Sequence, residues 1–476
     1  MIHLGQETSM AGPPLSEEDA EEHVHGICFK TGPPGTVGVE LEWLVCDETD
    51  PSLPVAHERV TQSLACVAGA GALPGNGSLT GEPGGQVELS SAPAAAIGDC
   101  IDAASRDLAA IRGALAPAGL QLVGQGLDPL RPPSRVLRQP RYAAMEEFFD
   151  RGGPWGRLMM CSSASVQVCL DAGLDRSGPA GYRFRWRLLH ALGPVLVAAF
   201  ANSPLQCGRP TGWKSSRQVV WTQLDPGRTR APAGAEPAAV PAARAARAAR
   251  AVRATRAARA VRADGTGRAD GLDGDPRIEF TRYALDAEVM CVRRPDAGRW
   301  PVPDGLTFRD WLRGAGERRP TCDDLAYHLT TLFPPVRPHG HLELRVIDAQ
   351  PGDDGWIVPA AVVSALVDDP AAADAAMAAA EPVWHSRDAA ASQAAGRGAD
   401  ARGQAQPAAS PWLRAARLGP ADPGLARASL ACFEAADAAL CRSGASAAIR
   451  EQVADYADRY VQRGRCPADD MLEESR

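Results

Sequence analysis

The sequence predicts a mixed fold, α/β or α+β, in which apolar strands are separated by helices. Three observations carry that expectation. Four short runs alternate apolar residues with acidic, amide or basic ones, at the two-residue period of a strand. They are Gly38-Val39-Glu40-Leu41-Glu42, Gly85-Gln86-Val87-Glu88-Leu89, Ser165-Val166-Gln167-Val168 and His341-Leu342-Glu343-Leu344-Arg345. Other segments space their apolar residues as a helix does, clearest at Ile101, Leu108, Ile111 and Leu115. At 476 residues, the chain can bury a large core in one big catalytic domain or two smaller ones.

Taken in order, residues 1–32 read as a flexible leader, and a first strand is expected over Thr36–Cys46. Glu58–Ala70 reads as a helix. The turn Pro74-Gly-Asn-Gly77 then opens a strand or hairpin arm over Ser78–Ser90. Ile97–Ala118 is expected as a helix and Leu120–Gly126 as the next strand. Tyr142–Phe149 reads as a short helix and Met159–Leu170 as a buried strand. Arg183–Ala201 reads as a long helix ending at Asn202-Ser203-Pro204. Strands and helices alternate to about Pro351, and Ala360–Gln462 is mostly Ala-rich helix.

Composition narrows the class. A content of 45% hydrophobic and 23% charged residues is that of an ordinary soluble globular protein. A net charge of -8 argues against a chain built mainly to coat nucleic acid. The first 22 residues are polar and acidic, so no signal peptide is expected. The most apolar stretch, Leu188–Leu205, is broken by His190, Gly193, Pro194 and Asn202, so no membrane span is expected. Twelve scattered Cys without a CxxC pair suit reduced thiols in a cytoplasmic protein.

The alternating runs carry the chemistry. Glu40 and Glu42 share a strand face, as do Gln86 and Glu88, and Glu343 and Arg345. Carboxylates gathered on one sheet face repel unless a cation lies among them. Hard oxygen ligands suit Mg²⁺, which takes a few carboxylates plus substrate phosphates. Alone, each pair reads equally as a solvated strand face. The apolar, partly β-branched residues between them, and the Gly84-Gly85 pair that permits close backbone approach, favour a buried site. Downstream, Arg217 and Arg228 are fixed cations able to grip carboxylate or phosphate bidentately. Trp213 and Trp221 read either as pocket walls or as core aromatics.

Residues 231–275 stand apart, reduced to little more than Ala, Arg, Val, Pro, Gly and Asp. Arg244, Arg247, Arg250, Arg253, Arg256, Arg259 and Arg262 recur every third residue. A helix has roughly 3.6 residues per turn, so these Arg walk around the cylinder rather than along one face. No aromatics are interleaved for base stacking. The segment reads as a poorly ordered surface insertion in preference to a nucleic-acid-binding arm.

Together these segments resemble the glutamate–cysteine ligase family of the plant and bacterial type, and within it the ligases that open bacterial ergothioneine biosynthesis. The carrying residues are Gly38-Val-Glu-Leu-Glu42, Glu82-Pro-Gly-Gly-Gln-Val-Glu-Leu-Ser90 and Met159-Met-Cys-Ser-Ser-Ala-Ser-Val-Gln-Val168. To these are added Ser216-Arg217, Trp221-Thr222, Asp225, Arg228 and Leu342-Glu-Leu-Arg345. More weakly, Tyr460–Asp470 matches that subgroup's ending. The Ala/Arg insertion departs from the family pattern without interrupting a motif.

The resemblance implies an α+β fold like the catalytic domain of glutamine synthetase, a curved, mainly antiparallel sheet funnel with outer helices. One ligase domain would span residues 33–476. It implies ATP-dependent joining of the L-glutamate γ-carboxylate to the L-cysteine amine, a cytoplasmic monomer, and neither a nucleic-acid nor a membrane partner. Glu40, Glu42, Glu88 and Glu343 are then the expected Mg²⁺ ligands, with Glu82 and Gln167 as further candidates. Glu82 reads equally as a turn residue, and Gln167 as a hydrogen-bonding group in the core. Arg217 and Arg228 are expected on a glutamate carboxylate or ATP phosphate, with Trp213 and Trp221 beside them. Arg345 would stabilise the transferred phosphoryl group or orient Glu343 through a salt bridge. Tyr283 and Asp286 would line the acceptor side, and His339 and His341 are given no role. The rival readings are a ligase for another amine, a metal-dependent hydrolase, and a nucleic-acid-associated protein using the Arg-rich segment.

Overall fold

A computed structural model describes residues 13–237, 274–294, 298–385 and 410–475. Nine strands are described: β1 Val37–Asp47, β2 Ser78–Gly81, β3 Val87–Ser90, β4 Leu120–Val123, β5 Ser165–Asp171, β6 Leu205–Gln206, β7 Arg209–Pro210, β8 Val336–Pro338 and β9 His341–Asp348. The helices of the first half are α1 Glu17–Cys28, α2 His57–Leu64, α3 Ile97–Leu115, α4 Pro140–Asp150, α5 Trp155–Ser162, α6 Tyr182–Ala199, α7 Ser216–Thr222 and α8 Pro226–Thr229. Those of the second half are α9 Pro276–Asp286, α10 Phe308–Leu312, α11 Cys322–Leu329, α12 Ile357–Asp368, α13 Pro370–His385, α14 Pro411–Leu418, α15 Pro423–Arg442, α16 Ala447–Arg459 and α17 Pro467–Glu474.

The fold is α+β. One seven-stranded sheet runs β2-β3-β1-β5-β9-β8, with β4 pairing the far end of β1. Every strand pairing in it is antiparallel. The strands form where the sequence alternates. Val37, Val39 and Leu41 of β1 are buried, while Gly38, Glu40 and Glu42 between them are only partly so. The apolar face packs against helices: α3 on β1, β3 and β4, α6 on β9, and α12 on β5. The opposite face is left to the charged residues. The hairpin β2–β3 turns through Glu82-Pro83-Gly84-Gly85-Gln86, closed by the Glu82 N–H donating to the Gln86 carbonyl at 2.8 Å. A Cβ on Gly84 would stand 2.2 Å from the Cys161 carbonyl oxygen, so only glycine lets the turn lie on α5.

Three expectations are corrected. The leader of 1–32 contains α1: Ser16 caps it, and Ala20, Val24 and Cys28 form a buried stripe four residues apart that packs on α9. Its acidic solvent face concealed that stripe. Met159–Ser162 is helical, not strand, because the unbranched run from Trp155 favours α5 and the period-two pattern starts only at Ser165. The Ala/Arg segment is also narrower than 231–275. Ala235 is buried and Glu236 accepts from Trp412 Nε1 at 2.8 Å. Asp275 caps α9 and accepts from the Tyr182 hydroxyl at 2.7 Å. The seven spaced arginines lie outside the described residues.

Placing a charge in the α1 stripe tests the first correction. Val24→Asp should lower the stability measured by urea unfolding by about 3 kcal/mol. An unchanged midpoint would restore the flexible-leader reading.

Candidate active site

Strand pairing assembles the site. β1 lies between β3 and β5, which sets Glu42 opposite Glu88 and Glu40 opposite Gln167. On the outer strands Thr80 faces Glu88, and Arg337 faces Glu343. Glu40, Glu42, Thr80, Glu88 and Arg337 form one wall of a cavity of about 810 Å³. Arg141 and Tyr142 from α4, Met159 and Met160 from α5, and Arg217 and Trp221 from α7 supply other walls.

The carboxylates fall into two groups. Glu343, 1% exposed, is gripped by Arg337, Nε to Oε2 at 2.9 Å and Nη2 to Oε1 at 3.0 Å, and also by Arg345. It is buried, yet these guanidiniums hold its carboxyl down at about 2. Glu40, Glu82 and Glu88 have no such partner within ion-pair distance among the described residues. Burial, then repulsion from Glu343 and Glu88, pushes Glu40 up to about 8. Burial, then Glu88 and Glu42, pushes Glu82 well above the carboxylate range. Glu88 is raised by burial and Glu42, although Thr80 Oγ1 donates to it at 2.9 Å. Glu42 accepts from Ser165 Oγ and Gln167 Nε2, both at 2.9 Å. Gln167 Oε1 in turn accepts from Arg345 Nη1 at 2.6 Å, so one amide links the acidic wall to the arginine.

The structure therefore brings Glu40, Glu42, Glu82, Glu88, Arg217, Trp221 and Arg345 to one cavity, with Gln167 and Glu343 directly behind it. It does not bring Arg228, Trp213, Tyr283 or Asp286 there. Arg228 is fully buried and satisfied by Asp225 at 2.9 Å, the Thr331 carbonyl at 2.9 Å and the Glu288 carbonyl at 2.6 Å. It also stacks 4.4 Å over Phe148, so it fastens α8 to the core. Trp213 packs beneath Arg417, Tyr283 packs on Phe280, and Asp286 pairs with Arg309. Glu343, expected as a Mg²⁺ ligand, is ion-paired with the guanidiniums of Arg337 and Arg345. The salt bridge between Arg345 and Glu343 is present, as one of the two readings of Arg345 required.

Sequence reasoning missed Arg337, Arg141, Tyr142 and Thr80. The signal for Arg337 was its own short run, Val336-Arg337-Pro338, directly before the Glu343 strand. Arg141 and Tyr142 were hidden at a helix start, and Arg141 is held by Thr330 Oγ1 at 2.9 Å.

The residues fit Mg²⁺ carried by phosphates. No three acidic, His or Cys side chains among the described residues close into a metal cage. Mg²⁺ needs only one or two carboxylates beside substrate phosphates. Crowded carboxylates without a counter-cation are the group such an ion would relieve.

The sequence pattern of glutamate-cysteine ligase family 2 (GCS2) matches residues 36–475. The chain belongs to this family. It is similar to the glutamate–cysteine ligase EgtA of Mycobacterium tuberculosis, 38% identical over 461 residues, which cover 95% of this chain and 89% of that protein. EgtA of Mycolicibacterium smegmatis is 38% identical over 464 residues, covering 96% and 91%. The chloroplastic glutamate–cysteine ligase of Medicago truncatula is 28% identical over 384 residues, covering 76% and 67%. The solved glutamate–cysteine ligase of Francisella tularensis in complex with AMP is a looser likeness, with TM-score 0.45 and 10% identity over 93% of this chain and 85% of that one.

The raised carboxyls make a pH prediction. Glu40 keeps its proton in the folded state up to about 8, whereas an ordinary Glu releases it near 4.5. Its stabilising contribution is thus complete below 4.5 and lost as pH rises through 8. The buried histidines, lowered from 6.5, act below that pH, while Glu82 and Glu88, raised with Glu40, add to the loss above it. Between pH 6.5 and 8, metal-free protein should lose a few degrees, roughly, of melting temperature. Glu40→Gln should flatten that loss and Mg²⁺ should offset it. Identical slopes in the two proteins would contradict the charge assignment.

Proposed function

We propose that this chain joins the γ-carboxylate of L-glutamate to the amine of L-cysteine, with ATP, through γ-glutamyl phosphate. The products are γ-glutamylcysteine, ADP and phosphate, the first step toward ergothioneine. One observation supports this most: in a chain of the glutamate–cysteine ligase family, uncompensated carboxylates and open arginines share a single cavity. Its volume of about 810 Å³ lies within the range of roughly 300–1,000 Å³ used for small-molecule ligands.

A carboxylate is a poor electrophile, and phosphorylation makes it one that an amine attacks. Phosphoryl transfer depends mostly on positioning and charge neutralisation. Glu40, Glu82 and Glu88, with Glu42 beside them, would hold Mg²⁺, which bound there supplies neutralising charge to the phosphates. Arg345 is anchored by Glu343 and Gln167, and its remaining donors stabilise the phosphoryl oxygens. Arg217 grips a substrate oxyanion. Met145, Met159, Met160, Trp221 and Phe333 give the uncharged substrate parts an apolar wall and limit water.

All twelve cysteines are free of disulfides, which supports a cytoplasmic site of action, where we place it as a monomer without nucleic acid. No described helix is long and apolar enough to cross a membrane.

The test is ADP release with ATP, Mg²⁺, glutamate and a panel of amines. Cysteine should give the highest rate. Release with another amine but not with cysteine would move the assignment to a different acceptor, and release without any amine would favour a hydrolase. Within that assay, Glu88→Gln should raise the Mg²⁺ concentration needed for half-maximal rate by about tenfold or more. An unchanged requirement would remove Glu88 from the metal site.

A further inference from the structure

The helix that carries Arg217 starts from a carboxylate with no part in the chemistry above. Asp348 ends β9, three residues beyond Arg345, and is 2% exposed. Its Oδ2 accepts from the Asn202 backbone N–H at 2.9 Å and from the Ser203 hydroxyl at 2.7 Å. Its Oδ1 accepts from the Ser215 hydroxyl at 3.0 Å, and Arg217 Nη1 stands 3.9 Å from the same oxygen. The site is shaped for this group. A Cβ at Gly126 would lie 2.4 Å from the Asp348 carboxyl carbon, so no larger residue fits there.

Both serines are used twice. Ser203 Oγ accepts from the Arg217 backbone N–H at 3.1 Å, and Ser215 Oγ accepts from the Gln218 N–H at 3.2 Å as the cap of α7. A hydroxyl carries one proton and two lone pairs. Giving the proton to Asp348 turns the lone pairs toward the first N–H groups of α7. The carboxylate thus sets two hydroxyl rotors, and the rotors set where the helix begins.

The other end of that chain of contacts is the Arg217 guanidinium. It lines the cavity and is itself only 2% exposed. Nη2 donates to the Arg345 carbonyl at 2.9 Å, while Nε and Nη1 have no hydrogen-bond partner among the described residues. A buried guanidinium with unpaired donors is unfavourable until an acceptor reaches it. The Asp348 charge offsets its burial without using up those donors.

We infer that Asp348 is a positioning residue: through Ser203 and Ser215 it holds the Arg217 guanidinium, with Nε and Nη1 unpaired, at the cavity wall for a substrate oxyanion, carboxylate or phosphate. The inference rests on the ligase reading. The test is steady-state kinetics of the full chain with Asp348→Asn, Ser203→Ala, Ser215→Ala, Arg217→Lys and the Asp348→Asn/Arg217→Lys pair. Asp348→Asn should raise one KM about tenfold while kcat stays within about threefold. A rise for glutamate identifies a carboxylate as the ligand, and a rise for ATP identifies a phosphate. The double variant should be no more than about threefold worse than Arg217→Lys, because both changes act on one guanidinium.

Two results overturn the inference alone: an active wild type with unmoved KM values in Asp348→Asn, or losses that multiply in the double variant. If Asp348→Asn does not fold, the serine variants decide. A rise of about threefold in the same KM supports the inference, and no rise in either overturns it. A wild type with no amine-dependent ADP release removes the ligase reading and this inference together.

Discussion

Glu40, Glu42 and Glu88 take their places in the cavity from the pairing of β1 between β3 and β5. Val37, Val39 and Leu41 must enter the core, and that requirement fixes which face Glu40 and Glu42 occupy. A slip of one residue would bury both glutamates and expose the apolar set. The register then meets Glu42 with Glu88 on one side and Glu40 with Gln167 on the other. Burial of ordinary aliphatic residues therefore concentrates like charges on the opposite face, against their own repulsion.

How that repulsion is distributed decides the chemistry. Glu343 is compensated by Arg337 and Arg345, and this fixes the arginine that faces the cavity. Removing one partner of such a buried group is strongly unfavourable, so the pairing also fixes the local geometry. Glu40, Glu82 and Glu88 have no ion-pair partner among the described residues and their carboxyls are raised, and we propose that a cation arriving with substrate would bind there. Arg217 is the converse case, a cation whose burial is balanced at a distance by Asp348 while Nε and Nη1 stay unpaired among the described residues.

Much of this was legible in the sequence, because period-two alternation reports strand faces directly. The four runs became β1, β3, β5 and β9, and the acidic members of three of them reached the cavity or its backing. What sequence does not display is the partner. Arg228 reads as a free cation, yet Asp225 three residues earlier already accounts for it. Trp213 and Tyr283 have the side chains of a pocket wall but sit on elements that face the core. Glu343 differs from Glu40 through its ion pairs with Arg345 and Arg337, and Arg337 comes from a strand of three residues too short to show a period. α1 was missed because three small buried residues lie among acidic ones.

We propose that the cation site lies at Glu40, Glu82 and Glu88, with Glu343 held by its arginines. Anomalous diffraction from crystals grown with Mn²⁺ and a non-hydrolysable ATP analogue tests it most directly. The account predicts manganese peaks bounded by those three carboxylates, with Glu343 still paired to Arg337 and Arg345. A peak coordinated by Glu343 with its arginines displaced, or a nucleotide bound with no metal in the cavity, would contradict it.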